Sequence, residues 1–146
     1  IGDWSSDVCS SDLLELIFDK DKINQRMEML SEFQKKYKIN NIGISGENVF
    51  KESNLYRTHI IHTIQTSAST FMKTSYDVLI TVLSRSKCLN LYGLQHLDQN
   101  KFNHKMKIVL KNLSSNLKVN FLISTKFPEN LNYILGKMAP FIDNVN

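Results

Sequence analysis

The order of the apolar patterns in the second half of the chain is the strongest constraint on its fold. Two short strand-like runs are each followed by a helical pattern with one apolar face. A strand–helix–strand–helix succession predicts a parallel sheet with right-handed crossovers. We therefore predict an α/β fold, in which a helical N-terminal part leads into a partial parallel sheet flanked by helices. The four elements are a strand Cys88–Tyr92 ending at Gly93, a helix opened by Asp98 or Asn100 with the face Phe102, Met106, Val109, Leu110 and Leu113, a strand at 117–124, and a helix after Pro128 through Leu131, Ile134, Leu135 and Met138.

Helical patterns also dominate the first half of the chain. Residues 20–38 repeat apolar side chains at three-to-four spacing, which is typical of an amphipathic helix. Its predicted face is Ile23, Met27, Leu30, Phe33 and Tyr37. The asparagines and glycines between 40 and 46 then predict a loop. From Tyr56 to Ser86 the spacing is again helical, so we expect one long helix or two stacked helices, with a break near Thr66–Thr70 because Ser and Thr are weak helix formers.

The first thirteen residues differ in composition from the rest of the chain. They repeat Ser-Ser-Asp, contain no Lys or Arg, and resemble the translation of a sequencing-library adapter. We therefore expect residues 1–13 to be foreign to the natural protein. The whole chain has 18 Lys and Arg against 14 Asp and Glu, a net charge of +4. Without Asp3, Asp7 and Asp12 the balance is 18 against 11, or +7, which favours attraction to phosphate but does not bear on the fold.

A helix rich in lysine follows Asp98. Lys101, Lys105, Lys107 and Lys111 alternate with its apolar face, and we expect all four to face solvent.

The turn after the first predicted strand is the candidate binding site. It runs from Tyr92 to Asp98, between a strand and a helix, where open α/β sheets bind ligands. Backbone N–H groups at a helix N-terminus can hold a phosphate, and the side chains of Gln95 and His96 add donors. Gly93, Gln95 and His96 are therefore the candidate ligand-binding residues. The same residues also fit an ordinary strand-to-helix turn that uses the backbone freedom of Gly93.

No sequence pattern indicates a catalytic centre, a metal site or a cofactor. His59 and His62 are three residues apart, but their neighbours supply no carboxylate or thiolate for a metal. The run Gly43-Ile-Ser-Gly46 lacks the spacing of a nucleophile elbow. Glycine motifs for phosphate or dinucleotide binding and obvious paired carboxylates are also missing from the sequence. Beyond Cys9, in the foreign segment, Cys88 is the one cysteine, which excludes an internal disulfide framework and fits a reducing cytosol.

A long helix ending in Val82-Leu-Ser-Arg-Ser-Lys-Cys-Leu-Asn-Leu-Tyr-Gly-Leu94 is followed by a helix and a second strand. This order resembles the start of the sugar-phosphate-sensing region of MurR/RpiR-type bacterial transcription regulators. Residues 33–50 are similar to the exit from the helix-turn-helix domain of that family. The resemblance implies a truncated sugar-isomerase-like (SIS) domain over 54–146, with a long leading helix. The chain departs from the family where Gln95 and Leu97 replace a glycine and a serine of the phosphate-binding turn.

The resemblance implies a fragment of a DNA-binding transcriptional regulator that senses a phosphosugar through a non-catalytic SIS domain. Its partners would be a sugar phosphate effector, DNA through a missing N-terminal domain, and further copies of itself in a homo-oligomer. Residues 14–53 would be a helix and loop left from a linker or N-terminal region. A sugar-phosphate isomerase-type enzyme fragment and a small helical interaction module without ligand stay open as alternatives. No window approaches the ~18 apolar residues that span a bilayer, so we expect a cytoplasmic protein without membrane contact.

Overall fold

Helices and strands alternate in the computed structural model of the chain, which describes residues 20–39, 41–51, 55–58, 61–113, 116–123 and 128–142. The predicted foreign segment, 1–13, lies outside the described residues. In chain order the elements are α1 (Lys20–Tyr37), β1 (Gly43–Ser45), α2 (Leu55–Thr58), β2 (Thr63–Ser67), α3 (Ala68–Lys73), α4 (Tyr76–Leu83), β3 (Cys88–Tyr92), α5 (Gln99–Lys111), β4 (Lys118–Leu122) and α6 (Leu131–Ile142), with short 3-10 turns at Leu94–His96 and Pro128–Asn130.

The four strands form one all-parallel sheet in the order β1-β2-β3-β4, so each strand pairs with its neighbours in the chain. Helices flank this sheet, which confirms the predicted α/β class. The two predicted strands are β3 and β4, paired from Cys88 with Lys118 to Tyr92 with Leu122. Asp98, one of the two predicted start sites, caps α5. Its carboxylate accepts a hydrogen bond from the backbone N–H of Lys101 at 3.1 Å.

The prediction of one long helix or two stacked helices from Tyr56 to Ser86 is wrong, because it missed a strand. Its described residues form α2, β2, α3 and α4, with the change from β2 to α3 at the predicted break, and β2 is paired on both sides, with β1 and with β3. Within β2, Ile64 and Thr66 are fully buried while Thr63, Gln65 and Ser67 are half-buried. This alternation with period two is that of a strand, and the β-branched residues of β2 suit a pleated surface. Apolar spacing alone cannot separate such a short strand from the helical turns on either side.

The loop predicted from the glycines near residue 43 is also wrong in part, because Gly43–Ser45 forms β1. Ile44 points into the core, where it is 8% exposed. A Cβ atom on Gly43 would lie 3.2 Å from the Cβ and carbonyl oxygen of Thr63, so glycine allows β1 to approach β2 closely. Gly46, with φ 132°, ends the strand in a conformation that other residues rarely adopt.

The core lies on one face of the sheet. Ile44, Ile64, Leu89 and Val119 form one row across the four strands, and Thr66, Leu91 and Phe121 form the next. The buried side chains of the helices pack on this same face in one cluster. The aromatic ring of Phe102, in α5, bridges the rings of Phe71 and Phe121 at centroid distances of 5.8 and 6.2 Å. Apolar burial of this kind is the main driving force for folding.

One of the four lysines predicted to face solvent does not. Lys105 is 7% exposed, and its ammonium group donates hydrogen bonds to the carbonyl oxygens of Met72 and Thr74 at 2.8 and 2.6 Å. It thereby binds the negative C-terminal end of α3, and it also lies 5.0 Å from the ring centroid of Tyr76. Burial lowers the pKa of Lys105. The sequence pattern missed this contact because the acceptors are backbone carbonyls more than 30 residues away.

The amphipathic helix predicted over 20–38 is confirmed as α1, but its apolar face is only partly covered. Met27 is buried and Leu30 packs against the core cluster. Phe33 and Tyr37 belong to the same predicted face and are each 55% exposed. The helix therefore contacts the core through Met27 and Leu30 and leaves Phe33 and Tyr37 exposed.

Candidate functional site

The carboxyl ends of β1, β2 and β3 bring polar side chains together at one edge of the sheet. Ser67 ends β2, Tyr92 ends β3, and the two residues are paired across the strands. Glu47 follows β1 after Gly46, whose N–H donates to the carbonyl oxygen of Gln65 at 3.0 Å and so ties the turn to β2. Parallel strands present their carboxyl ends on the same side, which is where open α/β sheets bind ligands.

Glu47 is the centre of this group, since its carboxylate accepts hydrogen bonds from three hydroxyls. Ser67 donates to one carboxylate oxygen at 2.6 Å, and Thr70 donates to the same oxygen. Tyr92 donates to the other oxygen at 2.7 Å. Ser67 also caps α3, because its hydroxyl oxygen accepts from the N–H of Thr70 at 3.1 Å. We call Glu47, Ser67, Thr70 and Tyr92 the Glu47 cluster.

The electrostatics of the Glu47 cluster favour a charged carboxylate at neutral pH. Partial burial works against ionisation, but the hydrogen bonds from Ser67, Thr70 and Tyr92 and the charge of Lys73 outweigh it and lower the pKa of Glu47. Burial, together with the hydrogen bond and the negative charge of Glu47, raises the pKa of Tyr92 to about 12. The cluster at neutral pH is therefore one anion held by neutral hydroxyl donors.

A cleft of about 330 Å³ opens beside the cluster. Glu47 and Thr70 line it, and Lys51 and Lys73 add two exposed ammonium groups. Its remaining lining residues are Phe50, Thr74 and Val78. The cleft thus offers an acceptor for hydroxyl groups, apolar walls and positive charge within one small volume, which lies in the size range of small-molecule sites.

The predicted site residues lie at the same edge but outside this cleft. Gly93 follows Tyr92 directly and has φ 75°, so it supplies the left-handed conformation that the turn requires. Gln95 and His96 are exposed on the 3-10 turn Leu94–His96. The N-terminus of α5 beyond them is already bound by the carboxylate of Asp98, whose negative charge would repel a phosphate there. Ligand binding by Gly93, Gln95 and His96 stays a prediction.

The face of the sheet opposite the core is polar and uncovered by the described helices. Its central row is Ser45, Gln65, Asn90 and Asn120, all half-buried. The side-chain amide of Asn120 donates to the amide oxygen of Asn90 at 2.9 Å and to the sulfur of Cys88 at 3.2 Å. Cys88, a free thiol, thus lies on this polar face beside the central row and not in the core. All-parallel sheets usually have both faces covered, so an uncovered face is unusual. We call this surface the open face.

Glu47, Ser67 and Thr70 are site residues that the sequence patterns did not predict. Those patterns place Ser67 and Thr70 at weak positions within a long helix, and Glu47 just after a loop. The detectable signal was the alternation Thr63-Ile-Gln-Thr-Ser67, because a strand there would have placed Ser67 at a carboxyl end.

Of the two histidines considered as metal ligands, His59 lies outside the described residues. The Nδ1 atom of His62 accepts a long hydrogen bond, 3.4 Å, from the N–H of Ile42. Within the described ranges, no three His, Cys, Asp or Glu side chains are grouped so that they could hold a metal ion. Nor is any helix of the described part both long and apolar enough to cross a membrane.

No protein-family model, curated protein or solved structure matches this chain. The features that bear on its function are therefore the Glu47 cluster, the cleft and the open face.

Proposed function

We propose that this chain is a non-catalytic binding module that holds a small phosphorylated polyol, such as a sugar phosphate, in the cleft beside Glu47. The observation that carries the proposal is the pairing of one hydrogen-bonded carboxylate with two lysines around a single cleft at the carboxyl edge of the sheet. Glu47 would accept hydrogen bonds from sugar hydroxyls. Lys51 and Lys73 would bind the phosphate, since ammonium groups attract phosphate as point charges.

The lowered pKa of Glu47 favours binding over catalysis. An isomerase would need a base strong enough to remove a proton from carbon, and the most effective catalytic pKa lies near the working pH. Three donated hydrogen bonds hold Glu47 in its ionised form and make it a weaker base. We therefore favour the binding module over the isomerase-type enzyme.

Thermal shift measurements on the full chain test the proposal. Hexose and amino-sugar phosphates should raise the melting temperature at concentrations where the free sugars and inorganic phosphate do not, because a ligand that binds only the folded state stabilises it. Lys73→Met should remove most of the shift, whereas Lys107→Met, on the exposed side of α5, should keep it. An unchanged melting temperature with every phosphorylated sugar, or equal shifts in both variants, would contradict the proposal.

In the wider proposal, this binding module belongs to a transcriptional regulator, and a helix-turn-helix domain upstream of it contacts DNA. This part is supported by the sequence resemblance alone. Extension of the reading frame upstream in the source genome tests it. A helix-turn-helix segment in the same frame supports the regulator, and its absence from the full gene contradicts it without affecting the binding proposal.

The open face favours a second candidate function, a module that binds another protein. Strands that follow one another in chain order, with helices on one face only, are typical of repeat proteins, which expose extended binding surfaces. Successive strands begin at Gly43, Thr63, Cys88 and Lys118. These starts are separated by 20, 25 and 30 residues, so each strand–helix unit has the size of such a repeat but the period is not fixed. The face carries uncharged amides at its centre, the anionic Glu47 at one edge and Lys118 at the other, so its partner would present a basic group opposite Glu47.

Site-specific photo-crosslinking in the source organism separates the two candidates. A photo-reactive residue in place of Asn90, on the open face, should capture a discrete partner protein. The same residue in place of the exposed Asn112, at the end of α5, should not. Identical products at both positions, or none at Asn90, would leave only the small-molecule proposal.

A further inference from the structure

A stripe of large apolar side chains on α1 faces solvent. Met29, Phe33 and Tyr37 are spaced four residues apart and are 59%, 55% and 55% exposed. The rings of Phe33 and Tyr37 contact each other at a centroid distance of 4.7 Å. Ile39, just beyond the helix, is 46% exposed. We call Met29, Phe33 and Tyr37 the α1 stripe.

The α1 stripe lies next to the residues that hold the helix on the core. Met27 is 1% exposed within the core cluster, and Leu30 packs against the same cluster. With Met27 and Leu30 in these positions, Phe33 and Tyr37 further along the helix stay exposed. Contiguous exposed apolar surface of this kind is typical of a surface that binds another protein.

The charges over the span of the α1 stripe favour a second copy of this chain as the partner. Between 28 and 38, Glu28 and Glu32 come first and Lys35, Lys36 and Lys38 follow, all exposed. Two such segments side by side in parallel would place like charges together. In antiparallel orientation, the acidic part of each segment lies beside the basic part of the other.

We propose that α1 pairs with α1 of a second copy of this chain, antiparallel, with Phe33 near the twofold axis. This arrangement is isologous, since the same surface of both copies forms the contact. Met29 of one copy then meets Tyr37 of the other, and the two Phe33 rings meet at the centre. The proposal is independent of the ligand proposed for the cleft.

Sedimentation of the full chain over a range of concentrations tests the pairing. The chain should form a dimer, and Phe33→Asp should weaken the dimer about tenfold or more, because central aromatic residues dominate such contacts. Circular dichroism should show that Phe33→Asp remains folded, since the side chain is exposed. Lys107→Asp, on the exposed side of α5, is not on the stripe and should leave the dimer intact. A monomer at every concentration would overturn the proposal.

Disulfide trapping tests the orientation. In a chain with Cys9 and Cys88 replaced by serine, Met29→Cys should crosslink to Tyr37→Cys of a second copy under mild oxidation. Met29→Cys copies should not crosslink to each other. Charge reversal provides an independent check: Glu28→Lys with Glu32→Lys, and separately Lys35→Glu with Lys36→Glu, should each weaken self-association, and an equimolar mixture of the two double variants should restore dimers. Crosslinking of Met29→Cys to itself would overturn the antiparallel arrangement.

Discussion

The carboxylate of Glu47 accepts a hydrogen bond of 2.7 Å from the hydroxyl of Tyr92, 45 residues further along the chain. This contact joins the turn after β1 to the end of β3 and passes over the end of β2, where Ser67 donates to the same carboxylate. Three strands of the sheet are thus connected at their carboxyl ends through one charged group. The carboxylate proposed to bind the ligand also connects three strands of the sheet. Changes at Glu47 should therefore alter stability in a pH-dependent way.

Replacement of Glu47 by glutamine tests this link. The folded pKa of Glu47 lies below the ordinary glutamate pKa of 4.5, so its ionised form stabilises the fold above pH 4.5, and the contribution disappears as the pH falls through the folded value. Glu47→Gln should melt below the wild type at neutral pH, and the difference should shrink as the pH is lowered below 4.5. Melting curves of both proteins from neutral to acidic pH measure it. A difference that is constant with pH would show that the charge of Glu47 contributes nothing.

Replacement of Lys105 by methionine should lower the free energy of unfolding by about 2 kcal/mol, because the carbonyl oxygens of Met72 and Thr74 lose their charged donor in a buried position. Methionine retains most of the aliphatic stem, so the effect reports the ammonium group. Lys107→Met, two residues along the same helix and exposed, is the matched control and should change stability by less than about 0.5 kcal/mol. Urea denaturation distinguishes the two, and equal effects would contradict the assigned role of Lys105.

Two glycines should respond to alanine with opposite sign. Gly93 has φ 75° and open space where a Cβ atom would lie, so Gly93→Ala costs only backbone strain, about 1 kcal/mol. Asparagine tolerates this conformation better and should restore part of the loss. Gly136 lies inside α6, also with open space, and Gly136→Ala should stabilise the protein by about 0.5–1 kcal/mol. Thermal melts of the three variants give the signs, and a stabilising Gly93→Ala would contradict the assigned turn.

Thr66 provides a test in the core. Its hydroxyl is fully buried and, among the described residues, has no hydrogen-bond partner. Thr66→Val keeps the branched shape and removes the unpaired polar group, so it should raise the free energy of unfolding by about 1 kcal/mol. Thr63→Val, on the open face of the same strand, should have a smaller effect because Thr63 is only half-buried. Marked destabilisation by Thr66→Val would mean that the hydroxyl has a partner.

Local patterns predicted the second half of the fold well. The signals for β3, β4, the helix between them and its cap at Asp98 are local. Each lies within the element itself or within a few residues of it. The first half was predicted less well, because β1 is only three residues long and β2 runs directly into α3 without a turn between them. For such short segments the deciding factor is pairing with a neighbouring strand, and β2 has one on each side.

The candidate site shows the same division. Its location at the carboxyl edge of a parallel sheet followed from the order of strands and helices, and Gly93 was recognised by its place after a strand. The Glu47 cluster did not follow, because Glu47 is 20 or more residues away from each hydroxyl that donates to it.

The sequence by itself determined the α/β class, the parallel pairing of β3 with β4, and the apolar face of α5, because strand and helix periodicity are properties of adjacent residues. Only the tertiary structure decided that Thr63–Ser67 is a strand, that Lys105 is buried, and that Glu47 meets Tyr92. Each of these depends on a partner far along the chain: a paired strand, a helix end that needs a cation, or hydroxyls that donate to a carboxylate. Such partners become neighbours only when the sheet has formed.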